Sequence, residues 1–179
     1  MTIRALLCAS TLASAAPAFA VEQDALDKIH AKIEASRPDV EHLTADDLQA
    51  MDPASVILLD VREPREYEVS RLPGAVRIDP DSEPGDLAAL ADAVAGKTVV
   101  LYCSVGRRSS DLADRNAEAF RALGAEGVYN LEGGVFRWAN ERRPLERDGA
   151  ATDVVHPYNW WWGRLIEDRS IVRYEPENR

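Results

Sequence analysis

Four short apolar runs recur along the middle of the chain, and segments of helical composition separate them. The apolar runs predict β-strands at residues 56–59, 75–78, 98–102 and 128–131. The segments around and between them predict α-helices at residues 44–51, 64–69, 86–94, 109–123 and 135–141. Strands that alternate with helices are typical of an α/β fold with a parallel sheet. The pattern therefore predicts an open parallel sheet covered by helices on both faces.

The longest predicted helix, 109–123, has an amphipathic pattern. Its apolar residues share one face, and these are Leu112, Ala113, Ala117, Phe120 and Leu123. Gly124 follows the helix at a position where glycine commonly ends one. At the start of the first predicted helix, Thr44 is placed to act as an N-cap. These local signals support the helical boundaries.

The first 20 residues have the pattern of an export signal. Arg4 precedes a short apolar stretch over residues 5–16, and Ala18-Phe19-Ala20 forms a cleavage site of the A-x-A type. We therefore expect cleavage after Ala20 and a periplasmic or secreted protein. A lipoprotein anchor on Cys8 is the alternative, disfavoured because the apolar stretch before that residue is too short. The segment is also shorter than the roughly 20 apolar residues that span a bilayer.

Composition limits the classes of partner. The chain has 31 acidic and 21 basic residues, with a net charge of −10, which disfavours nucleic acid as a ligand. Of its 2 cysteines, only Cys103 would remain after removal of residues 1–20. The mature chain could then form no internal disulfide, so Cys103 would be a free thiol or would pair with another molecule. Its length fits one domain with its own core.

Cys103 opens a loop that directly follows a predicted strand. The loop sequence is Cys103-Ser104-Val105-Gly106-Arg107-Arg108-Ser109. In open α/β sheets, ligands bind beyond the carboxyl ends of the strands. A glycine-containing loop that leads into a helix can turn its N–H groups toward an anion, which would favour a thiolate over a thiol. The sequence leaves open which of the two arginines faces that anion, and a buried, inert cysteine is the plain alternative.

Three motifs follow one another along the chain. They are residues 59–67 (LDVREPREY) continuing into 72–75 (LPGA), residues 102–109 (YCSVGRRS), and residues 128–134 (VYNLEGG) followed by Trp138. In these motifs, over residues 42–147, the chain resembles the rhodanese family of sulfurtransferases. The combination is specific, whereas a short piece such as Gly133-Gly134 is weak alone.

The resemblance implies one rhodanese-like α/β domain at residues 42–147, with an open parallel sheet of about five strands. It implies that Cys103 takes a sulfane sulfur from thiosulfate or a similar donor and holds it as a persulfide. Cyanide or a thiol would then accept the sulfur. The resemblance places the loop around the bound sulfur, and these substrate-binding residues are Ser104, Val105, Gly106, Arg107, Arg108 and Ser109. It implies neither a metal nor an organic cofactor.

One position departs from the family pattern. Ser70-Arg71-Leu72 stands where the family usually has Gly-His before its Pro-Gly-Ala turn, so fine structure that depends on that histidine is not carried over. Asp60 and Arg62 match the first motif. We interpret them as supporting residues that tie the end of a strand to neighbouring loops, rather than as groups that contact the substrate.

Dual-specificity phosphatases and arsenate reductases share this fold, so the loop length has to separate the reactions. Cys103 to Arg108 is C-x4-R, whereas a phosphatase needs C-x5-R because tetrahedral phosphate is larger than one sulfur atom. Tyr102 also stands where phosphatases usually have histidine. A phosphatase is therefore disfavoured. A persulfide carrier without turnover, or a protein-interaction module, is the other alternative.

Two segments flank the predicted domain. Residues 21–41 predict a helical extension that ends near Arg37-Pro38. Residues 148–179 form a tail that contains Trp160, Trp161 and Trp162. Three adjacent tryptophans cannot all face one side of a helix or strand. The tail could add to the core, meet a protein partner or cover Cys103.

Several other polar residues are predicted to lie outside any site. His30, His42 and His156 are far apart and lack the spacing of metal ligands. The charged runs 63–66 and 141–143 have the composition of solvated helix ends. None of these residues is predicted to belong to a site.

Overall fold

The computed structural model of the protein describes residues 19–176. The predicted export signal lies outside these residues except for its last two positions, and it stays a prediction. No helix in the part of the chain that the structure describes is long and apolar enough to cross a membrane.

A five-stranded parallel sheet forms the centre of the molecule. Its strands are β1 (Glu41–Leu43), β2 (Val56–Asp60), β3 (Val76–Arg77), β4 (Thr98–Tyr102) and β5 (Gly127–Leu131). They lie in the order β1-β5-β4-β2-β3, and every neighbouring pair is parallel. This arrangement confirms the predicted α/β fold with an open parallel sheet. The order places β4, which carries Cys103 at its end, in the middle of the sheet.

Seven α-helices accompany the strands within the described residues. They are α1 (Phe19–Ser36), α2 (Ala45–Ala50), α3 (Pro64–Val69), α4 (Ala91–Val94), α5 (Arg107–Ala122), α6 (Gly134–Asn140) and α7 (Trp160–Gly163). The prediction of one helix over 86–94 was wrong, because a 3-10 segment, Pro84–Leu90, precedes the four-residue α4. A short 3-10 segment and a short α-helix have similar amino-acid compositions, so composition does not distinguish the two kinds of helix here.

Local signals at helix ends agree with the structure. The Thr44 hydroxyl accepts the Asp47 N–H at 3.1 Å, while the Asp47 carboxylate accepts the Thr44 N–H at 3.1 Å. This capping box satisfies N–H groups at the start of α2 and so stabilises that end of the helix. Gly124 has φ +91° just after α5, the left-handed backbone that favours glycine at this place.

Three short strands were not predicted from the sequence. Strand β1 has three residues and pairs with β5 from Glu41 opposite Tyr129. Strands β6 (Leu145–Arg147) and β7 (Ala150–Thr152) form an antiparallel hairpin after α6. Segments of three residues are too short to show a period of hydrophobicity.

Alternate residues of β4 face two separate apolar clusters, one on each side of the sheet. Val100 and Tyr102 belong to the cluster covered by α1, α2, α6 and the C-terminal tail. Val99, Leu101 and Cys103 belong to the cluster covered by α4 and α5. The two clusters confirm that helices cover both faces, as the near-continuous apolar pattern of β4 predicts.

Candidate active site

Cys103 lies at the carboxyl end of β4, in the middle of the sheet edge where the sequence places it. The residue is a free cysteine with 1% of its surface exposed. A cavity of about 220 Å³ nevertheless reaches it from outside, so burial does not make this thiol inaccessible. The cavity is lined by Cys103, Ser104, Val105, Arg107, Arg108, Tyr158 and Trp162.

The start of α6 is hydrogen-bonded to the loop that begins at Cys103. The Val135 N–H donates to the Cys103 carbonyl at 2.9 Å, and the Phe136 N–H donates to the Ser104 carbonyl at 3.0 Å. Gly134 permits this close approach, because a Cβ there would overlap the carbonyl oxygen of Cys103. Gly134, the second glycine of the third sequence motif, therefore lets α6 pack directly against the active loop.

The backbone of the loop presents a set of unpaired donors. In the described part of the chain, none of the N–H groups of residues 104–108 donates to a backbone carbonyl. Gly106 adopts φ +94° at the N-terminus of α5, which turns the chain sharply before the helix begins. Ser104, Val105 and Gly106 are buried, and buried N–H groups without partners are rare in native proteins. The loop is therefore suited to hold an anion beside the Cys103 sulfur.

Arg108, not Arg107, packs into the loop. Its Nη1 donates to Glu66 Oε2 at 2.8 Å and its Nη2 donates to Glu66 Oε1 at 2.9 Å. Nη2 also donates to the Ser104 hydroxyl at 3.0 Å, and that hydroxyl donates to Glu66 Oε1 at 2.9 Å. The Arg108–Glu66 ion pair and the Ser104 hydroxyl together fix the loop against α3.

Glu66 was assigned no role from the sequence, and that interpretation was wrong. The side chain is fully buried in α3 instead of solvated. Burial favours the neutral acid, but the hydrogen bonds and charge of Arg108 prevail and lower the pKa of Glu66 below its usual value. Burial likewise disfavours the charged Arg108, yet Glu66 and Cys103 raise the pKa of its guanidinium above the usual value. The ion pair is thus charged on both sides at neutral pH.

Arg107 and Ser109 have different surroundings. Arg107 is exposed at the edge of the cavity. Ser109 is buried and points toward β5, where its hydroxyl donates to Asn130 Oδ1 at 2.6 Å. Asn130 Nδ2 in turn donates to His42 Nδ1 at 3.1 Å. Ser109 therefore anchors α5 to the sheet and does not line the cavity.

Asp60 and Arg62 form a fully buried ion pair one strand away from Cys103. Arg62 Nε donates to Asp60 Oδ1 at 2.8 Å and Nη2 donates to the Ser70 carbonyl at 2.6 Å. The Tyr102 hydroxyl donates to Asp60 Oδ2 at 2.6 Å. These bonds join the ends of β2 and β4 to the turn after α3. Neither Asp60 nor Arg62 lines the Cys103 cavity.

Part of the Trp-rich tail covers the cavity. Tyr158 and Trp162 line it, and the guanidinium carbon of Arg108 lies 4.8 Å from the centre of the Tyr158 ring. Trp160 and Trp161 instead expose 58% and 70% of their surface. Of the three tryptophans, Trp162 therefore covers the cavity, whereas Trp160 and Trp161 are exposed to solvent. Of the alternatives that the sequence leaves open, the structure places Trp162 over the site.

Comparison with known proteins identifies the family of this domain. The family model for the rhodanese-like domain matches residues 44–141, which is more than half of the chain. The chain belongs to the rhodanese-like domain family.

Several individual proteins are similar to it. An uncharacterized Synechocystis protein is 34% identical over 95 residues, which cover 50% of this chain and 46% of that protein. A tRNA uridine(34) hydroxylase of Bordetella pertussis is 38% identical over 98 residues, which cover 53% of this chain and 38% of that enzyme. The match thus spans less than half the length of these relatives.

A solved structure supports the fold. Thiosulfate sulfurtransferase from Pseudomonas aeruginosa matches with a TM-score of 0.52 and 22% identity, and the match covers 68% of this chain and 23% of that one. Similarity at this identity bears on the arrangement of strands and helices. It places the chain among structures with the rhodanese-like fold.

Proposed function

We propose that the protein is a sulfurtransferase that carries sulfur as a persulfide on Cys103. The observation that supports this most strongly is the loop directly after Cys103, in which the N–H groups of residues 104–108 donate to no backbone carbonyl of the described residues and residues 104–106 are buried. Such donors stabilise a negative charge on a sulfur atom bound to Cys103. Membership of the rhodanese-like family and the free thiol point to the same chemistry.

The reaction has two balanced steps. The Cys103 thiolate attacks the outer sulfur of thiosulfate, so a new S–S bond forms, the bond to the sulfonate sulfur breaks, and sulfite leaves with the electron pair. Cyanide or a thiolate then attacks the outer sulfur of the persulfide. The Cys103 S–S bond breaks, thiocyanate or a new persulfide leaves, and the thiolate returns. Loop N–H groups hold the outer sulfur between the steps.

Arg108 supports both steps without being consumed. Its bonds to Glu66 and Ser104 fix the loop, and its guanidinium interacts electrostatically with Cys103. The C-x4-R spacing gives a ring sized for one sulfur atom, which disfavours a phosphatase or an arsenate reductase on the same fold. A signal in residues 1–20 would direct the protein to the periplasm or outside the cell.

The names of the relatives raise hydroxylation of a tRNA base as another reaction class. A net charge of −10 weighs against a nucleic acid substrate. A persulfide carrier that hands sulfur to one protein without turnover is the nearer alternative. It would keep the same thiol and the same donors, so only kinetics separate it from an enzyme.

Steady-state kinetics test the proposal. With thiosulfate and cyanide varied together, thiocyanate formation should give the parallel double-reciprocal lines of a ping-pong mechanism. Cys103→Ser should abolish turnover, and Ser110→Ala, which changes a buried serine of α5 just after the active loop, serves as a control. Stoichiometric loading without turnover would favour the carrier.

A further inference from the structure

The C-terminal tail builds the outer wall of the Cys103 cavity, and this wall is anchored to the domain. Ile166 is buried in the core. Asn140, at the end of α6, donates to the Leu165 carbonyl at 2.8 Å and accepts the Glu167 N–H at 3.0 Å. Val155 pairs with Val172 across the tail. The wall is therefore a fixed part of the fold.

The turn that carries Tyr158 is also held in place. Tyr158 has φ +62°, a left-handed backbone that is uncommon for a bulky residue and needs support from its surroundings. Its N–H donates to Nδ1 of the buried His156 at 3.0 Å. Because burial lowers the pKa of His156, the ring stays neutral and able to accept this bond. His156 therefore has a structural role in shaping the cavity wall.

The size of the cavity limits what can reach Cys103. Its volume of about 220 Å³ equals roughly seven water molecules in the liquid. Pockets for drug-sized ligands run from about 300 to 1,000 Å³. A small organic molecule fits this volume, whereas we expect a folded protein that presents a thiol to meet Tyr158 and Trp162 before it reaches Cys103.

Charge adds a second restriction. The two arginines of the cavity differ, because Glu66 pairs with Arg108 whereas no carboxylate of the described residues pairs with Arg107. Arg107 lies exposed at the edge of the cavity, so its guanidinium is available to a negatively charged group on an incoming molecule. The aromatic side chains of Tyr158 and Trp162 line the same cavity.

We propose that the tail and Arg107 together select the sulfur acceptor, a small organic thiol that carries a carboxylate or sulfonate, and exclude protein thiols. This inference rests on the proposed function. The acceptor thiolate attacks the outer sulfur of the Cys103 persulfide, a new S–S bond forms, and the bond to the Cys103 sulfur breaks. The organic persulfide leaves as the Cys103 thiolate returns. Arg107 pairs with the distant acidic group during the attack.

Discharge of a preloaded persulfide tests the charge preference. Wild type and Arg107→Gln are loaded with thiosulfate, loading is read by intact mass, and the discharge rates with 3-mercaptopropionate and cysteamine are compared. The ratio of the two rates should fall roughly fivefold in Arg107→Gln, since one exposed charge pair contributes up to about 1 kcal/mol. Because each ratio is compared between proteins, the different intrinsic reactivities of the two thiols cancel.

Access by a protein thiol tests the wall. Reduced thioredoxin should discharge the wild-type persulfide at least tenfold more slowly than 3-mercaptopropionate, and Trp162→Ala should narrow this gap. Trp160→Ala is the matched control, because Trp160 lies in the same helix and does not line the cavity. The charge test uses an exposed residue and so does not depend on the stability of Trp162→Ala.

The outcomes separate the two proposals. Suppose that the proteins take up sulfur, but the ratio of the discharge rates with 3-mercaptopropionate and cysteamine is the same in wild type and Arg107→Gln, and thioredoxin is as fast as the small thiol. This result would overturn the inference about the acceptor and leave the proposed function standing. Failure of Cys103 to take sulfur from thiosulfate or from polysulfide would contradict the proposed function and, with it, the acceptor selection.

Discussion

Arg108 and Glu66 lie 42 residues apart in the sequence and form a two-bonded ion pair beside Cys103. The two donor–acceptor distances are 2.8 and 2.9 Å, and the carboxylate is fully buried. The pair joins α3 to the start of α5. It therefore couples the first sequence motif to the active loop.

Replacing this carboxylate should loosen the loop. Glu66→Gln keeps the shape but removes the charge, so we expect the free energy of unfolding to fall by about 2 kcal/mol. This figure allows for partial screening of Arg108, which is partly exposed. Chemical denaturation measures the change. Glu68→Gln, an exposed glutamate of the same helix, is the matched control, and equal effects of the two variants would contradict the assigned role.

Acid should weaken the same pair. The pKa of Glu66 lies below its usual value of 4.5 in the folded protein, so the unfolded state binds the proton more readily. The stabilisation is present above pH 4.5 and is lost as the pH falls through the folded pKa. The difference in unfolding free energy between wild type and Glu66→Gln should shrink as the pH is lowered from 7 to 3. A difference that is constant with pH would count against an ionised Glu66.

The contact between α6 and the active loop predicts the effect of adding a methyl group. Gly134→Ala should lower both stability and the loading of Cys103, because the new Cβ would overlap the Cys103 carbonyl oxygen. Gly149→Ala has a similar positive φ, +76°, in open space, and so suffers only the backbone strain of about 1–2 kcal/mol. Thermal unfolding and intact mass should show a larger loss for Gly134→Ala. Normal loading in that variant would argue against the packing described for the loop.

The buried tyrosine at the end of β4 should matter for stability and not for chemistry. Tyr102→Phe removes the bond to Asp60 and leaves the Leu72 N–H, which donates to the Tyr102 hydroxyl at 3.1 Å, without its partner. We expect a loss of about 1–3 kcal/mol with sulfur loading retained at 25 °C. A stable variant that takes no sulfur would show that Asp60 and Tyr102 act in the reaction itself.

The sequence predicts the fold well where elements are long or carry distinct caps. Strand β4 coincides with its predicted bounds, and Thr44 and Gly124 mark helix ends as expected. Strand β1 and the β6–β7 hairpin were missed because three residues show no period. The 3-10 segment before α4 was assigned as α-helix because both forms bury the same kind of residue.

The site was predictable only in part. Position at a strand end and the sequence of the loop single out Cys103, since these are local features. Glu66 was missed because a glutamate among charged residues has the composition of a solvated helix end, and its burial depends on a partner 42 residues away. The assignment of Arg108 to the loop and the cover by Tyr158 and Trp162 likewise depend on tertiary contacts. One signal was available for Glu66, namely its place three residues after Glu63 in a capping box.

The most direct test of the account is the intact mass of the protein after exposure to thiosulfate, with and without subsequent cyanide. Reducing pretreatment removes any prior modification of Cys103. We predict that wild type gains one sulfur atom, that cyanide removes it as thiocyanate, and that Cys103→Ser gains none. An unchanged mass for wild type would contradict thiosulfate sulfurtransfer through Cys103.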